Sequence, residues 1–402
     1  MPSTAPLQIL LFRHPDDKET LPYEDAIVRA FQGGKEVGGY QANGEDLGIQ
    51  LGVFSSAPPL SPSTTLDSFS HTLTVVFIDY SLLNAGGSLW DWLAACSEVT
   101  SASDYRHAML AIAMDERTGD RFSGMRAVFG TLQLLQVHDL GERAIRPAML
   151  ALRLLHECRL LLAEALPNST GFDGYLRLFI SHAKMDGLPL AHALKHQIEA
   201  LTWLEDFYDV DDLPAGKDWW RELEKGVGAS LIIILRTEAY DSRHWCKQEV
   251  LWADEYAIPA VLVDARTALN HPAAALPLER IPTVRIPDGN LIRILFLALR
   301  EGLRFLYFMR DVEQMKQDGD IPAAAELRVF SYSPSMTALL RACHSLGASG
   351  KPATTPHLIL YPDPPLRAGL YEAAEALVAS YAPPGTRLLT PNTIAATKGG
   401  VR

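Results

Sequence analysis

Short apolar runs rich in β-branched residues alternate along this chain with stretches whose apolar positions recur every three or four residues. That is the pattern of strands followed by helices, and so of a mostly parallel sheet. It falls into three blocks. In the first, strands are predicted at residues 7–12, 48–54, 73–78, 108–113 and 132–137, with helices near 25–31 and 89–97 and a closing helix over 142–165. Pro167-Asn168-Ser169-Thr170-Gly171 then gathers turn-forming residues and predicts a linker. The second block has strands at 176–181, 207–210, 230–235, 260–263 and 283–286 and closes with an amphipathic helix over 290–308. The third has strands at 328–332, 357–361 and 387–389, with helices at 336–346 and 370–380. Three strands make a thin sheet, which is expected to lean on a neighbour. The implied domains are 1–168, 172–309 and 310–402.

Composition narrows the function classes. With 36 basic and 48 acidic side chains, the net charge of −12 argues against a partner held by phosphate contacts, so no direct nucleic-acid binding is expected. The apolar stretches 148–166 and 291–308 are broken by charges such as Arg153, Glu157, Arg300 and Glu301, which excludes them as bilayer spans. The first apolar run, 7–12, is too short for a secretory signal. Four scattered cysteines, Cys96, Cys158, Cys246 and Cys343, offer no paired spacing for a disulfide framework or a zinc site; a reducing, cytoplasmic setting fits.

The chemistry concentrates in the second block. Leu178-Phe179-Ile180-Ser181-His182-Ala183 opens it, and Phe207-Tyr208-Asp209-Val210-Asp211-Asp212-Leu213-Pro214-Ala215-Gly216 follows after one crossover unit. Then come Ser230-Leu231-Ile232-Ile233-Ile234-Leu235 and Trp245-Cys246-Lys247-Gln248-Glu249. Four segments in this order resemble the Toll/interleukin-1 receptor (TIR) domain over about residues 175–308. The fold class this implies is α/β: a flavodoxin-like TIR domain with a parallel sheet, flanked by further α/β, Rossmann-like domains.

In the NAD-cleaving members of that family the glutamate matching Glu249 is catalytic. The resemblance implies an NAD+ glycohydrolase that releases nicotinamide and leaves linear or cyclic ADP-ribose, acting as an assembly-activated effector, as in bacterial antiphage defence. NAD+ is then a substrate, and no cofactor or metal is expected. Ser181, His182, Ala183, Lys184, Asp211, Trp245 and Cys246 are the implied substrate-binding residues. Asp209, Asp212, Leu213, Pro214 and Gly216 belong to the loop that would mediate homo-oligomerisation through TIR–TIR contacts. Many family members instead show Tyr and Glu or Asp in the opening motif, where this chain has His182, Lys184 and Asp186.

The residues also make sense by themselves. Trp245 and Glu249 are spaced i, i+4, so on a helix both project from one face, an indole beside a carboxylate. A flat aromatic surface suits a pyridinium riboside, and a carboxylate stabilises the oxocarbenium-like state reached as its glycosidic bond breaks. On this reading Glu249 is an exposed or pocket-lining helix residue whose replacement leaves stability nearly unchanged.

Other readings stand beside this one. The domain could be a non-catalytic TIR adaptor or scaffold, or a relative of nucleoside hydrolases acting on free nucleosides. Cys246 could be a thiol nucleophile with His244 or His182 as base, or a small buried residue at a helix start. Asp209, Asp211 and Asp212 alternate as in a calcium loop, but the turn glycine and bidentate glutamate are out of register. Trp219 or Trp220 could face a partner or pack inward. His14 follows the first strand without a glycine-rich cradle, and Gly33-Gly34 and Gly38-Gly39 read as a flexible loop. Block one also parallels block two in element order. Counting from Trp90 or Trp92 puts Ala94 or Cys96 where Glu249 stands, so a common origin would leave block one without its carboxylate.

Overall fold

The computed structural model describes residues 5–33, 46–85, 87–116, 134–163, 177–204, 207–208, 230–267, 278, 280–286, 289–352 and 354–399. The expected linker at 167–171, the loop 209–217 with Asp209, Asp211, Asp212, Leu213, Pro214 and Gly216, the residues Trp219 and Trp220, and Gly34, Gly38 and Gly39 lie outside them. The chain divides into two compact units, Met1–Gly174 and Tyr175–Arg402.

In the first unit the strands are β1 (Leu7–Phe12), β2 (Gln50–Phe54), β3 (His71–Ile78), β4 (His107–Ala113) and β5 (Leu134–Gln136). They are all parallel, in the order β2-β1-β3-β4-β5. β1 and β3 are buried at every position, as parallel strands covered on both faces are, and their apolar runs Ile9–Phe12 and Val75–Ile78 show it. Gln8 and Thr72, buried beside them, hydrogen-bond to each other at 3.0 Å. The helices are α1 (Leu21–Gln32), α2 (Pro62–Leu66), α3 (Tyr80–Ala85), α4 (Ser88–Ser101) and α5 (Arg146–Ala163). The short α2 and α3 are too brief to leave a period in the sequence, and neither was expected.

The second unit repeats that topology. β6 (Leu178–His182), β7 (Phe207–Tyr208), β8 (Leu231–Arg236), β9 (Ala260–Asp264) and β10 (Thr283–Arg285) form a parallel sheet ordered β10-β9-β8-β6-β7. Numbered from the first strand of its sheet, each unit therefore reads 2-1-3-4-5, the flavodoxin-like order. α6 (Leu188–Glu199) and α7 (His244–Glu255) belong to this layer. The closing helix α8 spans Leu291–Gln317, nine residues past its expected end at 308, because Val312 and Met315 continue its buried stripe. The boundary expected at 309/310 thus falls inside a helix.

A third parallel sheet, β11 (Glu326–Val329), β12 (His357–Leu360) and β13 (Arg387–Leu389), is carried by the same unit in sequential order. Its helices are α9 (Met336–Ala348), α10 (Ala368–Tyr381) and the unexpected α11 (Pro391–Gly399). β11 stops three residues short of its predicted end at 332. Beyond it the Ser331 N–H donates to the Ala257 carbonyl at 3.2 Å, so the chain leaves its own sheet to bond the turn after α7. Ser335 reinforces the junction: its hydroxyl donates to Asp254 on α7 at 2.9 Å and also caps α9. No described helix is long and apolar enough to cross a membrane.

Candidate active site

In a 2-1-3-4-5 sheet the chain crosses over in opposite directions from the first strand, which opens a crevice at the carboxyl ends of strands one and three. In the second unit those strands are β6 and β8. Ser181 and His182 end β6, and a tight turn follows: the Gly187 N–H donates to the Ala183 carbonyl at 2.7 Å. A Cβ at Gly187 would sit 3.0 Å from that oxygen, so glycine suits the turn by its close approach. Asp186 ties the turn to the segment after β8, accepting from the Thr237 hydroxyl at 2.7 Å and the Ala239 N–H at 2.9 Å.

That segment makes a single 3₁₀ turn, Tyr240–Ser242, flanked by the Arg236–Asp241 ion pair, and then enters α7. The helix buries Cys246, Glu249, Val250 and Ala253, an i, i+3, i+4, i+7 stripe against the sheet. Glu249 is the only acid on that stripe and is 7% exposed. Its Oε2 accepts from the Ser181 hydroxyl at 2.5 Å. The Ser181 Oγ lies 2.6 Å from the hydroxyl of Tyr240, itself wholly buried. Burial pushes the Glu249 carboxyl up to about 7, with the Ser181 hydrogen bond pulling the other way. Glu249 thus lines the cavity while nearly buried, and a buried, hydrogen-bonded carboxyl bears on stability, against the expectation that its replacement leaves stability nearly unchanged.

A cavity of about 840 Å³ opens over this carboxylate. His182, Ala183, Lys184, Trp245, Cys246 and Glu249, all expected from the sequence, line it. Trp245 is 45% exposed, so it is a surface of the cavity and not a core aromatic. Ser181 lies behind Glu249 at 1% exposure. Cys246 sits with its thiol 3.5 Å from the His182 carbonyl, and burial and the neighbouring carboxylate push it up to about 12. It is therefore a neutral thiol at physiological pH, which removes the basis for a thiolate nucleophile. Asp211 lies outside the described residues. Among the described residues, no group of three or more His, Cys, Asp or Glu side chains could hold a metal ion.

Met185, in the 181–186 segment that the resemblance assigns to the pocket, also lines the cavity, as do Leu188, His192 and Arg243, which were not assigned to it from the sequence. Leu188 and His192 are one turn apart at the start of α6; the rule that places ligands at the ends of strands one and three points to that turn. Tyr240 was missed as well. It matches no spacing rule, and only the folded 3₁₀ turn brings it under Ser181.

The first unit has the same crevice with different contents. Phe12, at the end of β1, stacks on Phe54 at 5.2 Å and meets Trp92 of α4 tilted at 5.1 Å, and Cys96 is fully buried in the same apolar cluster. Among the described residues, an aromatic cluster lies at the end of that strand, and the positions counted against Glu249 are Ala94 and Cys96, neither of them a carboxylate.

Residues 178–289 match the model of the TIR domain family. The chain thus carries a TIR domain confined to that segment, with further α/β structure on either side. No curated protein matches the chain. Among solved structures it is similar to the tagatose-6-phosphate ketose/aldose isomerase of Escherichia coli, at 13% identity and a TM-score of 0.22, covering 76% of this chain and 83% of that one. A second similarity is to the C-terminal domain of glucosamine-fructose-6-phosphate aminotransferase from Francisella tularensis, at 9% identity and a TM-score of 0.20, covering 76% and 85%.

Proposed function

We propose that the TIR domain of this chain cleaves the nicotinamide–ribose bond of NAD+, with Glu249 as the catalytic residue. The observation that carries the reading is a carboxylate pushed up to about 7, at the base of a cavity of about 840 Å³ and one helical turn from an exposed indole. Bond cleavage sends its electron pair to the pyridinium nitrogen, so nicotinamide leaves neutral and positive charge develops on the ribose. Ionised Glu249 stabilises that charge. Water then adds through oxygen at the ribose carbon and gives up one proton, yielding ADP-ribose; attack by a nucleophile of the same molecule gives the cyclic product instead. A carboxylate titrating near neutrality is matched to accept the proton. Trp245 offers its face to the nicotinamide ring.

Assembly through residues 209–217 and a role in antiphage defence accompany this reading through the family resemblance. The test is incubation of concentrated protein with NAD+ and chromatographic identification of nicotinamide and the ribosyl product. Release by the wild type and its loss in Glu249→Gln supports the assignment. A panel of free nucleosides distinguishes a nucleoside hydrolase.

The exposure of Met185 at 69%, Trp245 at 45% and Leu188 at 36% favours a second reading, an adaptor whose apolar rim is covered by a neighbouring domain. Self-association without nicotinamide release at any protein concentration would select it.

A further inference from the structure

We propose that Tyr240 is a positioning residue for the Glu249 carboxylate and acts through Ser181, whose single hydroxyl proton it directs onto that carboxylate. The inference rests on the reading of Glu249 as the reactive group. Three buried hydroxyl and carboxyl groups from three elements form one line: Tyr240 of the 3₁₀ turn, Ser181 of β6 and Glu249 of α7, spaced 2.6 and 2.5 Å apart. Beyond Tyr240 the line reaches the Cys246 carbonyl, in the first turn of α7, at 3.4 Å.

Counting protons gives the chain its direction. Ionised Glu249 only accepts, so Ser181 must donate to it, and the Ser181 oxygen is then free to accept from Tyr240. When Glu249 carries a proton it becomes a donor, and the line can reverse: Ser181 donates to Tyr240, and Tyr240 donates to the Cys246 carbonyl. Both directions use the two short contacts, and the reversed one adds only the long 3.4 Å contact. In the ionised state the Ser181 bond is charge-assisted and about twice as strong as a neutral one, so the arrangement favours the ionised carboxylate. Tyr240 stays a donor, because burial and the Glu249 charge push its phenol well above the usual range.

The other charged groups nearby do not replace this support. Asp186 is held by Thr237 and Ala239, and Asp241 by Arg236. His182, Lys184, His192 and Arg243 line the cavity with Glu249, and Cys246 is a neutral thiol on its own helix. Among the described residues, the influence that lowers the Glu249 carboxyl against burial is the Ser181 hydroxyl.

The experiment titrates Glu249 directly, by carbon NMR of protein labelled at the glutamate carboxyl, with the signal assigned through Glu249→Gln. The pH profile of nicotinamide release is measured beside it. Tyr240→Phe removes one oxygen and keeps the ring in the core. It is expected to move the Glu249 titration, and the acid limb of kcat/KM, upward by about half to one pH unit. Ser181→Ala moves both further. In the Ser181→Ala background Tyr240→Phe adds nothing, since its path is cut. A Glu249 titration unmoved by either folded variant overturns the inference, as does an undiminished Tyr240→Phe effect when Ser181 is absent. A wild type that releases no nicotinamide defeats the proposed activity and leaves the titration to decide the relay. If Tyr240→Phe fails to fold, Ser181→Ala alone decides by whether the titration rises.

Discussion

Trp245 and Glu249 stand one turn apart on α7, yet the indole is 45% exposed and the carboxylate 7%. The N-terminal turn of the helix overhangs the cavity while the next turn reaches the sheet, so one face supplies both a surface for a ring and a desolvated anion. Their replacements should therefore behave in opposite ways, the first altering binding and the second altering turnover and stability.

Glu249→Gln is expected to cut NAD+ turnover by about 10²-fold or more, as loss of a transition-state carboxylate does. It should also remove a pH dependence of stability. The folded carboxyl titrates at about 7 against an ordinary 4.5, so between those values the folded chain holds a proton that the unfolded chain has released. Wild-type stability then falls as pH rises through that window, by about 3 kcal/mol at full extent. Urea midpoints at pH 5 and pH 8 check it: the variant should gain on the wild type at pH 8 and not at pH 5.

Trp245→Ala is expected to raise KM for NAD+ several-fold while changing unfolding free energy by less than about 0.5 kcal/mol, the usual range for a surface site. Trp245→Phe keeps an aromatic face and should retain most of both kinetic constants. Steady-state kinetics beside thermal melts decide; a variant that unfolds would make the indole structural.

Asp186→Ala strips the acceptor from the Thr237 hydroxyl and the Ala239 N–H. The expected cost is about 1–3 kcal/mol, together with a higher KM, because the freed turn carries Lys184 and Met185 of the cavity wall. Asp186→Asn retains one carbonyl oxygen and should lose less. Denaturant melts and kinetics of the pair provide the comparison.

Cys246→Ser is expected to leave turnover within about tenfold of wild type, since the thiol is not a thiolate near neutral pH. Iodoacetamide at pH 7 should leave Cys246 unmodified by mass spectrometry. A thousandfold loss on substitution, or rapid alkylation, would restore the nucleophile reading.

Much of this architecture was legible because parallel strands buried on both faces are largely apolar. β1 and β13 were placed to the residue, and β3, β4, β8 and β9 within two residues at either end. The Trp245-to-Glu249 segment was legible too, as an i, i+4 pair in a segment order typical of TIR domains, and the family match at 178–289 agrees. Burial of Glu249 was not legible, since a carboxylate within a short stripe of Cys, Val and Ala reads as a solvated edge until a sheet is laid against it. Nor was the role of Tyr240, which depends on a 3₁₀ turn of three residues that carries no period. The end of β11 was misplaced because Ser331 follows a tertiary bond to Ala257 and not its strand.

α8 has a practical meaning for anyone who would cut this protein. Its 27 residues make one unbroken rod of about 40 Å, buried as far along as Val312 and Met315. A fragment ended at residue 309, where sequence pattern alone puts the border, would truncate the rod before Val312 and Met315. It would also delete Ser335, stranding Asp254 on the rear of the helix that carries Glu249. Such a fragment should express poorly or clump, and an inactive preparation of it would say nothing about catalysis. The sound excision is Tyr175–Arg402, taken whole.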